Sequence, residues 1–391
     1  MAERYDVVIA GGAVHGASAA WWLTRARPGL RVAVVERDPT YATASTALSV
    51  ASVRQQFTNA VNVRISRFGI GFIRDFARHL APHGPDLGLR ENGYLFLVGT
   101  AEGAKALGQV AAMQRAEGAA TEVWDAATLA RRFPWLSAEG VSAASFGARD
   151  EGWFDNMGLL GGFRAGARAQ GATFLHDRVT GLGLKGGRVT SVRLSSGEDL
   201  ACGALINCTG TRAAEVMAMA GQALPVEPRK RTVFLIDAPN ARHPDAPLII
   251  DYQGYYMRPE RGQWIIATVP AEDGPCDAQD FDPDAGQFEE LIWPAVHARA
   301  PGFDAVKVVR CWAGHYAYNR LDQNAVVGLW PGLDNLYLAA GFSGHGLQQA
   351  PAVGRALSEL ILEGAYRSLD LTDLGPQRLL DGTPFRELAI V

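Results

Sequence analysis

Two glycine-rich turns, at opposite ends of this 391-residue chain, hold the residues best suited to chemistry. The first is Gly11-Gly12-Ala13-Val14-His15-Gly16, after the apolar run at residues 6–10. The second is Gly341-Phe342-Ser343-Gly344-His345-Gly346-Leu347-Gln348-Gln349, after a similar run at 335–340. Each run reads as a strand, and each turn opens a helix-like stretch, 17–25 and 349–361. A strand, a glycine turn and a helix aim backbone N–H groups at an anion held on the positive helix end. One such device suits a dinucleotide. Two predict a large cofactor gripped at both ends, and FAD fits better than NAD: its pyrophosphate takes the first turn and its isoalloxazine the second.

The first turn departs from the G-x-G-x-x-G fingerprint, because Ala13 replaces the middle glycine that lets backbone approach the pyrophosphate. Glu36 offsets that weakness. It ends the next strand, 25 residues after Gly11, where a carboxylate accepts from a ribose 2′-OH and disfavours a 2′-phosphate. The alternative for Glu36 is a solvated strand-end charge. The alternative for the second turn is a plain glycine loop, against which stands the helix that begins directly after it. Reduced flavin carries negative charge near its pyrimidine edge. A helix N-terminus stabilises such charge by roughly 0.3–1 kcal/mol, up to ~2 when partly buried. His345 either adds a charge there or is a structural, hydrogen-bonding histidine.

These turns need elements to hold them. Residues 5–10, 14–25 and 31–35 form one β-α-β unit. Residues 45–52 are small and polar, suited to close backbone approach. Val61, Ile65, Phe68, Phe72 and Phe76, at spacings of three and four, predict one long helix over 59–80. A strand at 93–98, two helical stretches before Pro134, a helix at 163–169 and a strand at 173–176 follow. Gly186-Gly187 turns a hairpin between 179–184 and 189–194. Ala204-Leu205-Ile206-Asn207-Cys208-Thr209-Gly210 reads as a buried strand ending in glycine. From 226 to 309, short strands at 232–236, 255–258 and 264–269 alternate with Pro- and Asp-rich loops and predict an inserted antiparallel sheet. The tail after Leu371 is expected to dock. The expected fold is α/β, with a discontinuous Rossmann-like FAD-binding domain at 1–90, 145–225 and 325–391 and a substrate domain at 91–144 and 226–324.

Composition narrows the class further. The chain is 48% hydrophobic and 20% charged, which suits a soluble globular protein. Its net charge of −4 gives no basic face for nucleic acid or anionic lipid. No apolar run approaches the roughly 18 residues of a membrane span, and a first strand entered by Tyr5 leaves no room for a signal peptide. Cys202, Cys208, Cys276 and Cys311 show neither metal spacing nor a disulfide framework, so a reducing cytoplasm is expected, with no metal.

Together these residues resemble the D-amino-acid oxidase/sarcosine oxidase (DAO) superfamily of FAD-dependent oxidoreductases, over essentially the whole chain. The matching features are the first turn with Glu36, residues 45–54, Asn207-Cys208-Thr209-Gly210 and the second turn. Ala44-Ser45-Thr46-Ala47-Leu48-Ser49, Val53-Arg54-Gln55-Gln56-Phe57 and residues 341–351 are similar to one subgroup, the FAD-dependent oxidoreductase domain-containing proteins. Cys311-Trp312-Ala313-Gly314-His315-Tyr316-Ala317-Tyr318-Asn319 and Asp322-Gln323-Asn324 support it. That subgroup includes a mitochondrial protein linked to assembly of the respiratory NADH dehydrogenase complex.

The resemblance implies oxidation of a small amine or amino acid: a secondary amine, an N-substituted amino acid or a D-amino acid. A hydride passes from the C–H next to nitrogen to flavin N5, and the imine then hydrolyses. It places cofactor contacts at both turns, at Glu36 and Arg37, at Ser45, Thr46, Ser49, Ala51 and Ser52, at Val179, and at Cys208, Thr209 and Gly210. Three departures stand out. Gln348 occupies the place of a lysine that helps hold the substrate carboxylate in the sarcosine oxidase branch, and Tyr316 or its neighbour that of an arginine in the glycine and D-amino-acid oxidase branches. His315 stands where a cysteine tethers flavin, with Cys311 roughly 13 Å away along an extended strand. FAD is therefore expected to be non-covalent.

With those anchors missing, Arg54 and Arg258 are the candidate cations, Arg54 facing the flavin and Arg258 forming a bidentate contact with a substrate carboxylate. The alternative for Arg258 is a surface arginine. Tyr256, Tyr316 and Tyr318 either line an aromatic pocket or pack half-buried. His315, Tyr316, Tyr256 and Gln348 complete the candidate catalytic set. The final acceptor is oxygen or an electron-transfer partner. Oxygen-using relatives carry a lysine above the flavin, for which the sequence offers no identifiable counterpart. The rival expectation is an FAD-binding assembly or scaffold protein with little turnover; an NAD-dependent dehydrogenase, the third, would be colourless.

Overall fold

The structure, a computed structural model, describes residues 3–389, so the outermost residues of the expected domain ranges, 1–2 and 390–391, lie outside it. Two eight-stranded sheets organise the chain. The first has Glu3–Ala10 at its centre, paired in parallel with Val32–Glu36 on one side and Asp199–Asn207 on the other. Residues 7–10 are all buried, as in a strand covered on both faces. Thr173–His176 and Leu336–Ala340 extend the sheet in parallel, Val326–Leu329 pairs antiparallel at the edge, and the hairpin Val179–Lys185/Arg188–Leu194 attaches to Asp199–Asn207. The carboxyl ends of four parallel strands, at Ala10, Glu36, Asn207 and Ala340, therefore share one edge. In open α/β sheets that edge is where ligands bind.

Two helices fix the spacing of the glycine turns. Val14–Ala26 packs against Gly346–Glu363, and each begins at one turn. Small residues make the approach possible: a Cβ on Gly354 would lie 2.3 Å from Ser18 Oγ. The Ser18 hydroxyl donates to the Ala350 carbonyl at 2.8 Å across the same contact. The expected long helix over 59–80 is two helices, Ala60–Arg74 and Phe76–His79. Asp75 leaves helical geometry at φ −99° and ψ 15°, and its side chain pairs with Arg78 at 2.6 Å. Apolar periodicity records which face is buried, not where the backbone bends, so it does not register this break. Phe72 and Phe76 still reach the core with Trp21 and Phe163.

The second sheet runs Lys307–Asn319, Val226–Asp237, Gln263–Thr268, Tyr255–Glu260, Leu248–Ile250, Tyr94–Val98, Ala143–Gly147 and Thr121–Trp124. It is antiparallel except where Leu248–Ile250 meets Tyr94–Val98 in parallel. Ala143–Gly147 spans the expected junction at 144/145 and belongs to this sheet. The expected strand at 232–236 begins six residues earlier, at Val226. Pro228 and the cations after it hide that start, and they are tolerated because residues 226–231 pair only with Lys307–Asn319, not on both sides.

The tail docks as expected. Arg378 pairs with buried Asp322 at 2.7 Å, and the buried Glu387 carboxylate accepts from the Thr58 N–H and hydroxyl and from the amides of Asn59 and Asn62. Burial pushes the Glu387 carboxyl up, but these bonds and the charge of Arg54 outweigh it and hold the group below its ordinary range. No helix among the described residues is long and apolar enough to cross a membrane.

Candidate active site

A cavity of about 480 Å³ runs from the carboxyl edge of the first sheet to the face of the second. At one end the chain offers backbone. Gly11 has φ +92°, and a Cβ on it would lie 2.5 Å from the Cys208 carbonyl oxygen, so both turn geometry and strand contact require glycine there. Ala13 sits at φ −67°, a conformation open to any residue, so the backbone of the turn does not itself demand the fingerprint's middle glycine. Ala13 gives Val14–Ala26 no side-chain cap; the Val14 N–H reaches the Thr46 hydroxyl at 3.4 Å, and the other first-turn N–H groups are left for an anion. The Glu36 carboxylate accepts from the N–H of Gly12 at 2.8 Å and of Asp38 at 2.9 Å, which sets its position at the cavity wall. Arg37, Val179, Cys208, Thr209 and Gly210 line the same end. Asn207 shapes that wall by accepting from the Thr209 N–H and hydroxyl.

The middle of the cavity is the small-residue segment. Ser45, Thr46, Ser49 and Ser52 line it, and the Ser45 hydroxyl donates to the His315 carbonyl at 2.7 Å. A Cβ on Gly314 would stand 3.1 Å from Leu48 Cβ, so the two segments nearly touch. Gly12, Gly16, Ala51 and Gly341, expected among the contacts, lie behind the lining. Gly16 packs against the first turn, where a Cβ would be 1.9 Å from the Gly11 carbonyl oxygen. Ala51 holds a left-handed φ of +59° and turns the chain toward Arg54.

The far end is built from side chains. His15 stacks on Phe342 with ring centroids 3.9 Å apart, joining the two turns. Burial pushes His15 and His345 down to about 3, so both rings are neutral; beyond the approach of the Gly346 backbone to His15, their nitrogens have no well-formed hydrogen bond among the described residues. The expected charge on His345 is therefore absent in the protein alone. Helix Gly346–Glu363 also lacks a side-chain cap, and its first turn lines the cavity through Gly346, Leu347 and Gln348. Gly344, at φ +99°, lies against Tyr316, whose ring carbon a Cβ would meet at 2.5 Å.

Arg54 lines this end with its guanidinium buried beside the Phe57 ring, 4.0 Å from its centroid, and held by the carbonyls of Gln56 and Ala389. No carboxylate among the described residues reaches ion-pair distance of it. Burial lowers its pKa, an arginine that an anion would suit. Gln348 does not project freely to a substrate: its side-chain oxygen accepts from the Arg54 N–H at 2.5 Å.

Two expectations change here, those for Arg258 and His315, and the choice left open for Tyr318 falls to packing. Arg258 shares the strand face of Tyr256 but lies beyond the cavity wall. Its guanidinium donates to the Val50 carbonyl at 3.0 and 2.9 Å and pairs with Glu260 at 2.5 Å, so it positions the small-residue segment from behind. His315 lines the cavity, but its imidazole turns to the Asp280 carbonyl at 2.6 Å and stacks on Phe281. Tyr318 lies under Arg229, 3.5 Å from ring centroid to guanidinium carbon, and outside the cavity. Tyr256 and Tyr316 do line it, and burial raises both phenols, which stay protonated.

Sequence reasoning missed Arg231, which also lines the cavity, 3% exposed and paired with Asp273 at 2.7 Å. The signal was present in Arg229-Lys230-Arg231, since alternation along a strand sends Arg229 and Arg231 to one face and Lys230 to the other. Tyr94 was missed too; it donates to Ser52 at 2.7 Å.

The family model described as FAD dependent oxidoreductase, DAO, matches residues 6–360. The chain belongs to this family. It is 38% identical over 426 residues to the FAD-dependent oxidoreductase domain-containing protein 1 of Xenopus laevis, covering 100% of this chain and 85% of that protein. The Bos taurus protein of the same name is 39% identical, covering 100% and 87%. Among solved structures, L-proline dehydrogenase from P. horikoshii superposes with a TM-score of 0.86 at 27% identity, over 98% of this chain and 99% of that one. Glycine oxidase from Geobacillus kaustophilus shares the fold, with a TM-score of 0.81 at 24% identity over 95% and 98%.

The protein is thus an FAD-dependent oxidoreductase, and its cavity fits the cofactor. The helix start and Gly11 suit a pyrophosphate, the Glu36 carboxylate a ribose diol, and the buried nitrogens of His15 and His345 polar ring edges. Bound FAD supplies a two-electron acceptor. Cys208, the lining cysteine, has its thiol pushed up to about 12 by burial and stays protonated, consistent with non-covalent binding.

Proposed function

We propose that the enzyme oxidises a secondary amine, an N-substituted amino acid or a D-amino acid by hydride transfer to flavin N5, with hydrolysis of the resulting imine. The observation that carries this reading is Arg54, a buried cation without a carboxylate partner among the described residues, in a wall of aromatic residues. A substrate carboxylate on Arg54 orients the carbon next to nitrogen, and Tyr94, Tyr256 and Tyr316 exclude water from the reacting C–H. Both phenols of the Tyr256–Tyr316 pair stay protonated and so donate rather than abstract. The site works by positioning and electrostatics. A cytoplasmic location and an acceptor that is either oxygen or an electron-transfer partner complete the proposal.

The test is an anaerobic absorbance scan of the FAD-loaded protein with sarcosine, dimethylglycine, iminodiacetate, proline and several D-amino acids. Bleaching of the flavin band by one of them is expected, and reoxidation on admitting air separates oxygen from another acceptor. A flavin that dithionite reduces but none of these amines bleaches would sink the proposal.

A further inference from the structure

The end of the cavity that takes the substrate contains two buried guanidiniums, and Arg54 accounts for only one. Arg231 enters from strand Val226–Asp237, with its guanidinium carbon 4.9 Å from the Tyr316 ring centroid. Asp273 binds it end-on, its two oxygens 2.7 and 3.0 Å from Nη1 and Nη2. Nη1 also reaches the Lys230 carbonyl at 3.0 Å. The remaining edge, Nε with the adjacent Nη2 proton, is one of the two bidentate faces of a guanidinium. Its Nε is buried and has no partner among the described residues. Nor is the charge balanced locally. Asp273 is shared with Arg229, and Glu227 is shared between Arg229 and Arg320, so three cations divide two carboxylates. Arg54 and Arg231 both act electrostatically on the Tyr316 phenol, so both positive centres lie near it.

We propose that the substrate carries two carboxylates flanking its amine, one on Arg54 and the second on the open edge of Arg231. The class is an N-(carboxyalkyl) amino acid or a related amino dicarboxylate, and Arg231 is its specificity determinant. The inference rests on reading this end as the substrate end in the amine-oxidation proposal. Asp273 holds the Arg231 plane and, as a neighbouring anion, also limits how tightly the second carboxylate binds. Burial pushes the Asp273 carboxyl up, but Arg231 and Arg229 outweigh it and keep the group ionised.

The experiment uses the FAD-loaded protein and two ligands that have no amine to oxidise: thiodiglycolate, with two carboxylates, and methylthioacetate, with one. Binding is read from perturbation of the flavin absorbance. Thiodiglycolate is expected to bind at least about tenfold more tightly. Arg231→Met abolishes that preference while methylthioacetate keeps its Kd, and Asp273→Asn widens it. Where the Met variant fails to hold FAD, Arg231→Lys serves instead; it keeps the charge, loses the fork and retains a reduced preference. Equal affinities in the wild type, no perturbation by either ligand, or a preference that survives in Arg231→Met each overturn the inference. A preference that holds while no amine bleaches the flavin would instead overturn the oxidation proposal and leave the two-carboxylate site standing.

Discussion

The two ends of the cavity solve opposite problems by different means. At the nucleotide end the lining is mainly backbone: a helix start whose N-cap residue makes no side-chain cap and a glycine with φ +92°, with one carboxylate held by two N–H groups. At the proposed substrate end the lining is side chains brought from the segment before helix Ala60–Arg74, from the four strands of the second sheet that carry Tyr94, Arg231, Tyr256 and Tyr316, and from the second turn. Backbone devices are local, so a few adjacent residues suffice. Side-chain pockets need convergence, and each member depends on packing decided elsewhere. The nucleotide end should therefore break all at once, and the substrate end one group at a time.

The largest effect is expected at Gly11. In Gly11→Val the side chain meets the Cys208 carbonyl in a conformation that L-residues rarely adopt, so the protein should purify colourless. Stoichiometric yellow protein would show that the nucleotide end is not so rigid.

Behind the substrate end, Glu151 accepts from the N–H groups of Gln55 and Gln56 at 2.6 and 3.1 Å and from the Gln56 amide at 2.8 Å. Burial nonetheless raises it from an ordinary value of 4.5 to about 7. The folded state then holds a proton that the unfolded state releases, so this group favours folding most below pH ~4.5. That contribution declines as pH rises through about 7, by at most ~3 kcal/mol. Chemical denaturation of wild type and Glu151→Gln across pH 4.5–8 should show the slope in the first and a flatter profile in the second; parallel profiles would remove Glu151 from the account.

Arg54→Met comes next. Losing a charged hydrogen bond of roughly 1.5–3 kcal/mol should weaken methylthioacetate binding by about 10- to 150-fold while FAD stays bound. Loss of FAD together with the ligand would mean that the two ends are not separable. The smallest effect is Glu36→Ala, expected to weaken FAD by about tenfold and leave carboxylate affinity in the loaded protein unchanged. A titration showing unaltered FAD affinity would leave Glu36 as an anchor of the first turn with no part in cofactor binding.

The same contrast governs how much was legible in the sequence. The first β-α-β unit, the hairpin at Gly186-Gly187 and the strand before the second turn follow from periodicity and glycine punctuation, and they stand within a residue or two of expectation. The 13-residue strand Lys307–Asn319 was not legible as a strand, because its alternation mixes glycine, histidine and tyrosine, and only its pairing with Val226–Asp237 reveals its length. Pro228 concealed half of that partner. Asp75 split a helix that its phenylalanine stripe made continuous.

At the site, Arg54, Tyr256 and Tyr316 were named from sequence and do line the cavity, whereas Arg258 was named and does not. Alternation correctly put Arg258 on the face of Tyr256. It is silent on what covers that face two residues further along, and there the Val50 carbonyl takes the guanidinium. What the sequence determined by itself was the local chemistry: two glycine turns, Glu36 at a strand end, and the FAD-binding architecture that they require. What only the tertiary structure decided was which cations reach the ligand. Arg231 was admitted, Arg258 was turned to the wall and Gln348 was spent on Arg54, because side-chain direction follows from sheet register and from packing between segments hundreds of residues apart.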